Sequence, residues 1–150
     1  MSAVHNAKSF EMRSSGNVDK FSSDGVCLSS QTLNGATVIA ASGELDASNI
    51  HHLTDYTRSC LTGGRSLVLD LSRLNFLGAR GIRNLFEIAD QCERRGIEWA
   101  LVPSRPVSRL LRICDKRAHL PSASSIDQAL ERFSAPAGIR GLLQLVPKAR

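Results

Sequence analysis

The residues of this chain able to carry chemistry are four histidines, four cysteines and 14 acids, set among many serines. His51 and His52 are neighbours, and on a helix adjacent side chains project about 100° apart, so they do not converge on one proton or one ion. His5 falls in a Ser/Asn-rich stretch and His119 in a loop. Asp46 and Asp70 could be paired carboxylates for general acid–base work. Helix-capping and strand-end hydrogen bonding account for the same two residues with less assumption. No Ser or Cys is paired in sequence with a base motif, and no H-E-x-x-H, Walker or G-x-G-x-x-G pattern occurs. Gly63-Gly64-Arg65 is too short for a phosphate loop. Cys27, Cys60, Cys92 and Cys114 are far apart with no C-x-x-C, which argues against a zinc site or a thioredoxin-type motif. The chain reads as a non-enzyme without cofactor or metal.

Composition narrows the alternatives. With 150 residues, 42% hydrophobic and 22% charged, the chain can bury one real core. Its net charge of +5 raises the question of nucleic acid. The basic residues are scattered and only one Trp and one Tyr are present, so no stacking surface is evident and direct DNA binding is not expected. The N-terminus lacks the apolar core of a signal peptide and no apolar run has the length of a membrane helix. The expectation is a cytoplasmic protein, not inserted in a membrane, with reduced thiols. Cys60, Cys92 and Cys114 fall on apolar helical stripes and should be buried. Cys27, on a possible edge strand, is the thiol expected at the surface and the candidate for redox control.

Residues 1–25 hold few large apolar side chains and should form a flexible arm. Residues 26–33 and 37–41 flank Asn34-Gly35, a two-residue hairpin signal. Asp46 could then cap a helix with Ile50, Leu53, Cys60 and Leu61 on its apolar face, ended by Gly63-Gly64. An apolar run at residues 67–71 predicts a strand buried on both faces. A loop at residues 72–75 leads to a helix at residues 79–95, with Ile82, Leu85, Phe86, Ala89 and Cys92 inward and Gly96 as its stop. A strand comes next, at residues 97–102. Beyond it lie a helix bearing Val107, Leu110, Leu111 and Cys114, a brief strand at residues 120–123, and a helix bearing Ile126, Ala129, Leu130 and Phe133. Residues 134–150 form a basic tail. A hairpin and then strand–helix alternation predict a single α/β domain over residues 26–133, with a mixed, mostly parallel sheet and about four helices. Sites on such sheets gather at the carboxyl ends of strands.

The order of elements and several short motifs resemble the STAS domain family of anti-sigma factor antagonists (anti-anti-sigma factors). The residues that carry the resemblance are Gly43-Glu44-Leu45-Asp46, Leu69-Asp70-Leu71-Ser72, Phe76-Leu77 and Gly81-Ile82, with residues 107–113 and 126–130. Signalling members carry Asp-Ser-Ser-Gly or Asp-Ser-Thr-Gly at the start of the second helix. The first hydroxyl residue there is phosphorylated, and a kinase-like anti-sigma factor docks on that surface until phosphorylation breaks the complex. Here the four positions read Gly78-Ala79-Arg80-Gly81. Ala79 has no oxygen to accept a phosphate, so it is a phosphoacceptor-equivalent position that cannot be phosphorylated.

The resemblance implies a regulatory module that binds an anti-sigma factor and releases a sigma factor for transcription, without phospho-control at position 79. Its expected contacts are Asp46, Ser72, Asn75, Gly78, Ala79, Arg80 and Arg83. Two alternatives stand beside it. Arg73, Arg80 and Arg83 near a helix N-terminus suit an anion or nucleotide, giving a sensor module. STAS domains also serve in lipid-transport and stress-signalling complexes.

Overall fold

The computed structural model describes residues 19–134. Most of the expected N-terminal arm and all of the expected basic tail beyond Ser134 lie outside the described residues. The elements are β1 (Asp19–Ser23), β2 (Val26–Leu33), β3 (Ala36–Leu45), α1 (Ile50–Cys60), a 3-10 turn (Leu61–Gly63), β4 (Leu67–Leu77), α2 (Ala79–Arg95), β5 (Trp99–Pro103), α3 (Arg105–Cys114) and α4 (Ile126–Ser134). The five strands lie side by side in chain order. β1, β2 and β3 pair antiparallel, and β3, β4 and β5 pair parallel. This is the mixed sheet expected from the alternation of elements, but with β1 added it is evenly divided between antiparallel and parallel pairings rather than mostly parallel. No helix among the described residues is long and apolar enough to cross a membrane.

The sheet has a core on each face. Val26, Leu28, Ile39, Leu45, Leu69 and Leu71 point to one face, where Leu53 of α1, Leu85 and Ile88 of α2, and Val107 of α3 close over them. Val38, Val68, Ala100 and Val102 point to the other, which α4 covers with Ala129 and Leu130. The central strands therefore read as continuous apolar runs, while β2 alternates. Asn34 (φ 50°) and Gly35 (φ 80°) make the expected left-handed turn between β2 and β3.

Four of the expected element assignments need correction. Residues 19–23, placed in the arm, form edge strand β1, because Phe21 finds partners that its own segment lacks. Its ring packs 5.0 Å from that of His52 and 6.5 Å from that of Tyr56. Residues 72–75 are not a loop: β4 continues pairing with β3 to Leu77 through two register shifts. Asp46 does not cap α1. The residue ahead of that helix is the buried Asn49, and Asp46 closes the turn before it. Residues 120–123 make only an isolated bridge, Leu101 to Ser122, held by two backbone hydrogen bonds to Leu101.

Of the cysteines, Cys92 is buried, Cys60 half-buried, and Cys27 and Cys114 exposed. Cys114 departs from the expected stripe because α3 ends there; Val107 and Leu111 are buried and Leu110 packs partly against the core.

Candidate functional site

The site grows out of the way β4 stays paired. Between Ala40↔Asp70 and Ser42↔Arg73, and again between Gly43↔Leu74 and Glu44↔Phe76, β4 carries one residue more than β3. Each extra residue bends the strand and re-aims the side chains beyond it. Core contacts then come every third residue, at Leu71, Leu74 and Leu77, while Ser72, Arg73, Asn75 and Phe76 are all exposed. Asp70 supports the first bulge: its Oδ1 accepts the Ser72 amide at 3.1 Å and the Ser72 hydroxyl at 2.6 Å. An Asp-x-Ser clasp of the same kind lies just after β3, where Asp46 Oδ1 accepts the Ser48 amide at 2.9 Å and hydroxyl at 2.6 Å. Those bonds, the hydroxyl's first, hold the exposed Asp46 carboxyl below its usual range.

Beyond the bulges the ends of β3 and β4 meet. The Gly78 amide donates to the Leu45 carbonyl at 2.9 Å. A Cβ on Gly78 would stand 3.5 Å from Phe76 Cε2 and 3.6 Å from Asp46 Cα. Asp46, Phe76 and Gly78 thus form one continuous surface, and Ala79 and Arg80 open α2 beside it.

Asn49 fixes the near wall. Its amide nitrogen donates to the carbonyls of Asp24 (2.8 Å) and Glu44 (2.9 Å), and its Oδ1 accepts the Asp46 amide at 2.9 Å. One buried side chain therefore ties the β1–β2 turn, the end of β3 and the start of α1. Glycines complete the wall. Gly43 adopts φ 102°, and a Cβ there would run into the Gly25 carbonyl oxygen and stand 3.3 Å from Val26 Cα.

α2 begins with its donors exposed. Gly78 supplies no side-chain cap and the first turn contains no acid, so the positive end of the helix dipole faces outward. Arg80 and Arg83 lie three residues apart on this helix, both exposed, and neither makes an ion pair or side-chain hydrogen bond among the described residues. The helix is anchored elsewhere, by the Thr54 hydroxyl of α1 donating to the Asn84 side-chain oxygen and by Gly81, whose missing Cβ admits Leu77.

The expected contact residues fall into two groups. Asp46, Gly78, Ala79, Arg80 and Arg83 belong to the junction. Ser72 and Asn75 sit on β4, with Ser72 five residues before Leu77, about 16 Å along an extended strand. Arg73 is separate again. It lines a groove of about 610 Å³ on the α4 side of the sheet, together with Asp70, Lys20, Ser42 and Ile126. The three arginines therefore do not ring one site.

Phe76, 49% exposed, is missing from the expected contacts, because in the sequence it counts only among the residues that carry the family resemblance. The spacing of Leu71, Leu74 and Leu77 is the signal that would have shown it facing outward. Cys27 is exposed, its Sγ 3.3 Å from the Ser22 hydroxyl. Among the described residues no three His, Cys, Asp or Glu side chains gather as a metal set.

Comparison with known proteins agrees with this architecture. Osmosensory protein A of Mycobacterium tuberculosis is 36% identical over 99 residues, covering 63% of this chain and 63% of that protein. This chain therefore spans under two thirds of that relative's length. Anti-sigma-F factor antagonist RsfA of Mycobacterium tuberculosis is 33% identical over 99 residues, 63% of this chain and 77% of RsfA. An anti-sigma factor antagonist from Mycobacterium paratuberculosis superposes with a TM-score of 0.66 at 22% identity, covering 73% of this chain and 95% of that one. The unphosphorylated form of the anti-sigma factor antagonist SpoIIAA superposes with a TM-score of 0.58 at 16% identity, covering 71% and 95%. At these identities the two structures speak for the fold alone. The STAS domain family profile matches residues 28–129, from β2 into α4, and the chain belongs to the STAS domain family.

Proposed function

We propose that this protein is a regulatory binding module of the cytoplasm, not an enzyme, that docks an anti-sigma factor and so frees a sigma factor. The docking surface is the junction of Asp46, Phe76, Gly78, Ala79, Arg80 and Arg83, with Ser72 and Asn75 extending it along β4. The observation that carries the reading is the outward-facing Phe76 ring beside Gly78 and the uncapped start of α2. An exposed aromatic edged by arginines is the composition of an interface core. RsfA, 33% identical, is named for this activity.

Ala79 cannot accept a phosphate, so release of the partner does not run through that position. Cys27 is one of two exposed thiols, with Cys114, and the one through which oxidation would act instead. Loss of binding on oxidising the native protein, spared in Cys27→Ser, is the expected result. Loss in both forms refutes that role.

The test of the main reading is calorimetric titration with the anti-sigma factors of the host, and then transcription from a sigma-dependent promoter. Phe76→Ala and Arg80→Glu each weaken binding by about tenfold or more and reduce sigma release in step. Binding that ignores both substitutions refutes the surface, and absence of any anti-sigma ligand refutes the function. A second reading, an anion or nucleotide sensor, is favoured by the free N–H donors of α2 beside Arg80 and Arg83. Nucleotide titrated into the isolated protein gives heat only under that reading.

A further inference from the structure

Two large apolar side chains stand out in solvent among the described residues. Phe76 belongs to the junction above; Ile113, 68% exposed on α3, does not. Its surroundings are uniform in charge. Arg105, Arg109 and Arg112 recur at i, i+4 and i+7, which places them on one face over about 10 Å of helix. Lys116 and Arg117 continue the run in the turn after α3, and all five are exposed. None makes an ion pair or side-chain hydrogen bond among the described residues.

The acid in this stretch, Asp115, is turned inward. Its carboxylate is 4% exposed and accepts the His119 and Leu120 amides, each at 2.9 Å. The basic turn is thereby held in one shape. Five cations against this one acid account for four of the chain's formal net charge of +5.

A solvated helix face looks different in the same molecule. α2 intersperses Glu87, Asp90 and Glu93 with its arginines and pairs Arg94 with Asp90 at 2.9 Å. The dipole at the C-terminus of α3 favours a cation in the last turn. It does not account for Arg105, at the opposite end.

We propose that the outward face of α3, which carries Arg105, Arg109 and Arg112 with Ile113 at its edge and Lys116 just beyond, docks an acidic protein segment that carries apolar side chains among its carboxylates. Guanidinium groups bind carboxylates bidentately, and an exposed apolar side chain beside charged groups gives such a segment a second, non-ionic contact. A phosphate backbone offers no complement to an exposed isoleucine, and one isoleucine without an exposed aromatic on α3 is a weak membrane wedge. The pinned turn lowers the ordering cost of binding.

The test is fluorescence anisotropy of a labelled twenty-residue peptide in which Glu and Leu alternate. The same peptide with Ser for Leu, a 20-base-pair duplex DNA and vesicles containing phosphatidylserine serve as competing probes. The Glu/Leu peptide should bind most tightly. Arg109→Glu/Arg112→Glu should weaken it by about tenfold or more, and Ile113→Ser by about threefold. Arg95→Glu, on α2, is the charge control and leaves affinity unchanged. Thermal melts confirm that each variant is folded. Affinity indifferent to the α3 substitutions overturns the proposal. So does tighter binding of DNA or vesicles, and so does equal binding of the Glu/Ser peptide.

Discussion

Replacing Gly81 by alanine sets two opposed effects against each other. Gly81 is buried in the first turn of α2, and alanine there gains about 1 kcal/mol of helix propensity. The new Cβ, however, would stand 2.7 Å from Leu77 Cγ and closer still to its Cδ1. Leu77 is itself 5% exposed, so it cannot swing into solvent and must displace core neighbours. Overpacking of this kind costs about 1–3 kcal/mol. The clash therefore outweighs the propensity, and the net effect is destabilisation of about 1 kcal/mol, a fall of a few °C in Tm. The strain also sits between the end of β4 and the start of α2, so docking at the junction weakens with it. Urea unfolding of Gly81→Ala, Leu77→Ala and the double variant gives a cycle in which the second substitution relieves the first. A favourable coupling of about 1–2 kcal/mol is expected. A Gly81→Ala protein more stable than wild type, or a cycle without coupling, refutes the close approach of these residues.

Three other perturbations report on separate parts of the structure. Asn49→Ala strands the Asp46 amide and the Asp24 and Glu44 carbonyls, and should cost about 2–4 kcal/mol in urea unfolding; a cost below about 1 kcal/mol would show the three bonds to be replaceable. Burial pushes the Cys92 thiol up to about 11, so the unfolded chain ionises first and stability falls as pH rises from about 9 toward 11, by at most about 1.4 kcal/mol per pH unit. Cys92→Ala should flatten that part of the pH–stability curve, and an unchanged slope refutes the assignment. Ala79→Glu places a carboxylate on the uncapped start of α2, where it should raise stability by about 0.3–1 kcal/mol while weakening anti-sigma factor binding by repulsion and desolvation; unchanged binding places the partner elsewhere.

Short segments that decide their own conformation are legible in the sequence. Asn34-Gly35 requires positive φ at two successive residues, and Gly96 (φ 68°) ends α2 in a left-handed cap. These signals, with the apolar runs of β4 and β5, give the mixed sheet and its helices. The rest depends on partners distant in sequence. β1 is a strand because Phe21 meets His52 and Tyr56 of α1, and no pattern within residues 19–23 contains that. The bulges of β4 exist relative to β3, and a strand read with period two places its side chains wrongly after the first of them. Ser72 and Asn75 therefore look like loop residues in the sequence, and period two does not mark Phe76 as exposed. Arg73 seems to belong with Arg80, although the fold places it over the groove on the α4 side.

The start of α2 shows why a surface can change while the fold stays whole. Its electrostatics are unfavourable: no side-chain cap, no acid in the first turn, and Arg80 against the positive end of the dipole. Such terms amount to about 0.3–1 kcal/mol each. Behind them Ile82, Leu85, Ile88 and Cys92 are buried, and each full burial of a large apolar side chain contributes about 1.5–3 kcal/mol. Packing thus outweighs the electrostatic cost severalfold, and the helix does not need its first turn to be favourable. That leaves the exposed positions 79, 80 and 83 free to vary, whereas Gly81 and Ile82 are held by packing. Position 79 can be alanine, and its neighbour arginine, without loss of the helix that presents them. Under the docking proposed above, the partner's side of the interface carries the complement, an acidic and apolar surface that meets Arg80, Arg83 and Phe76.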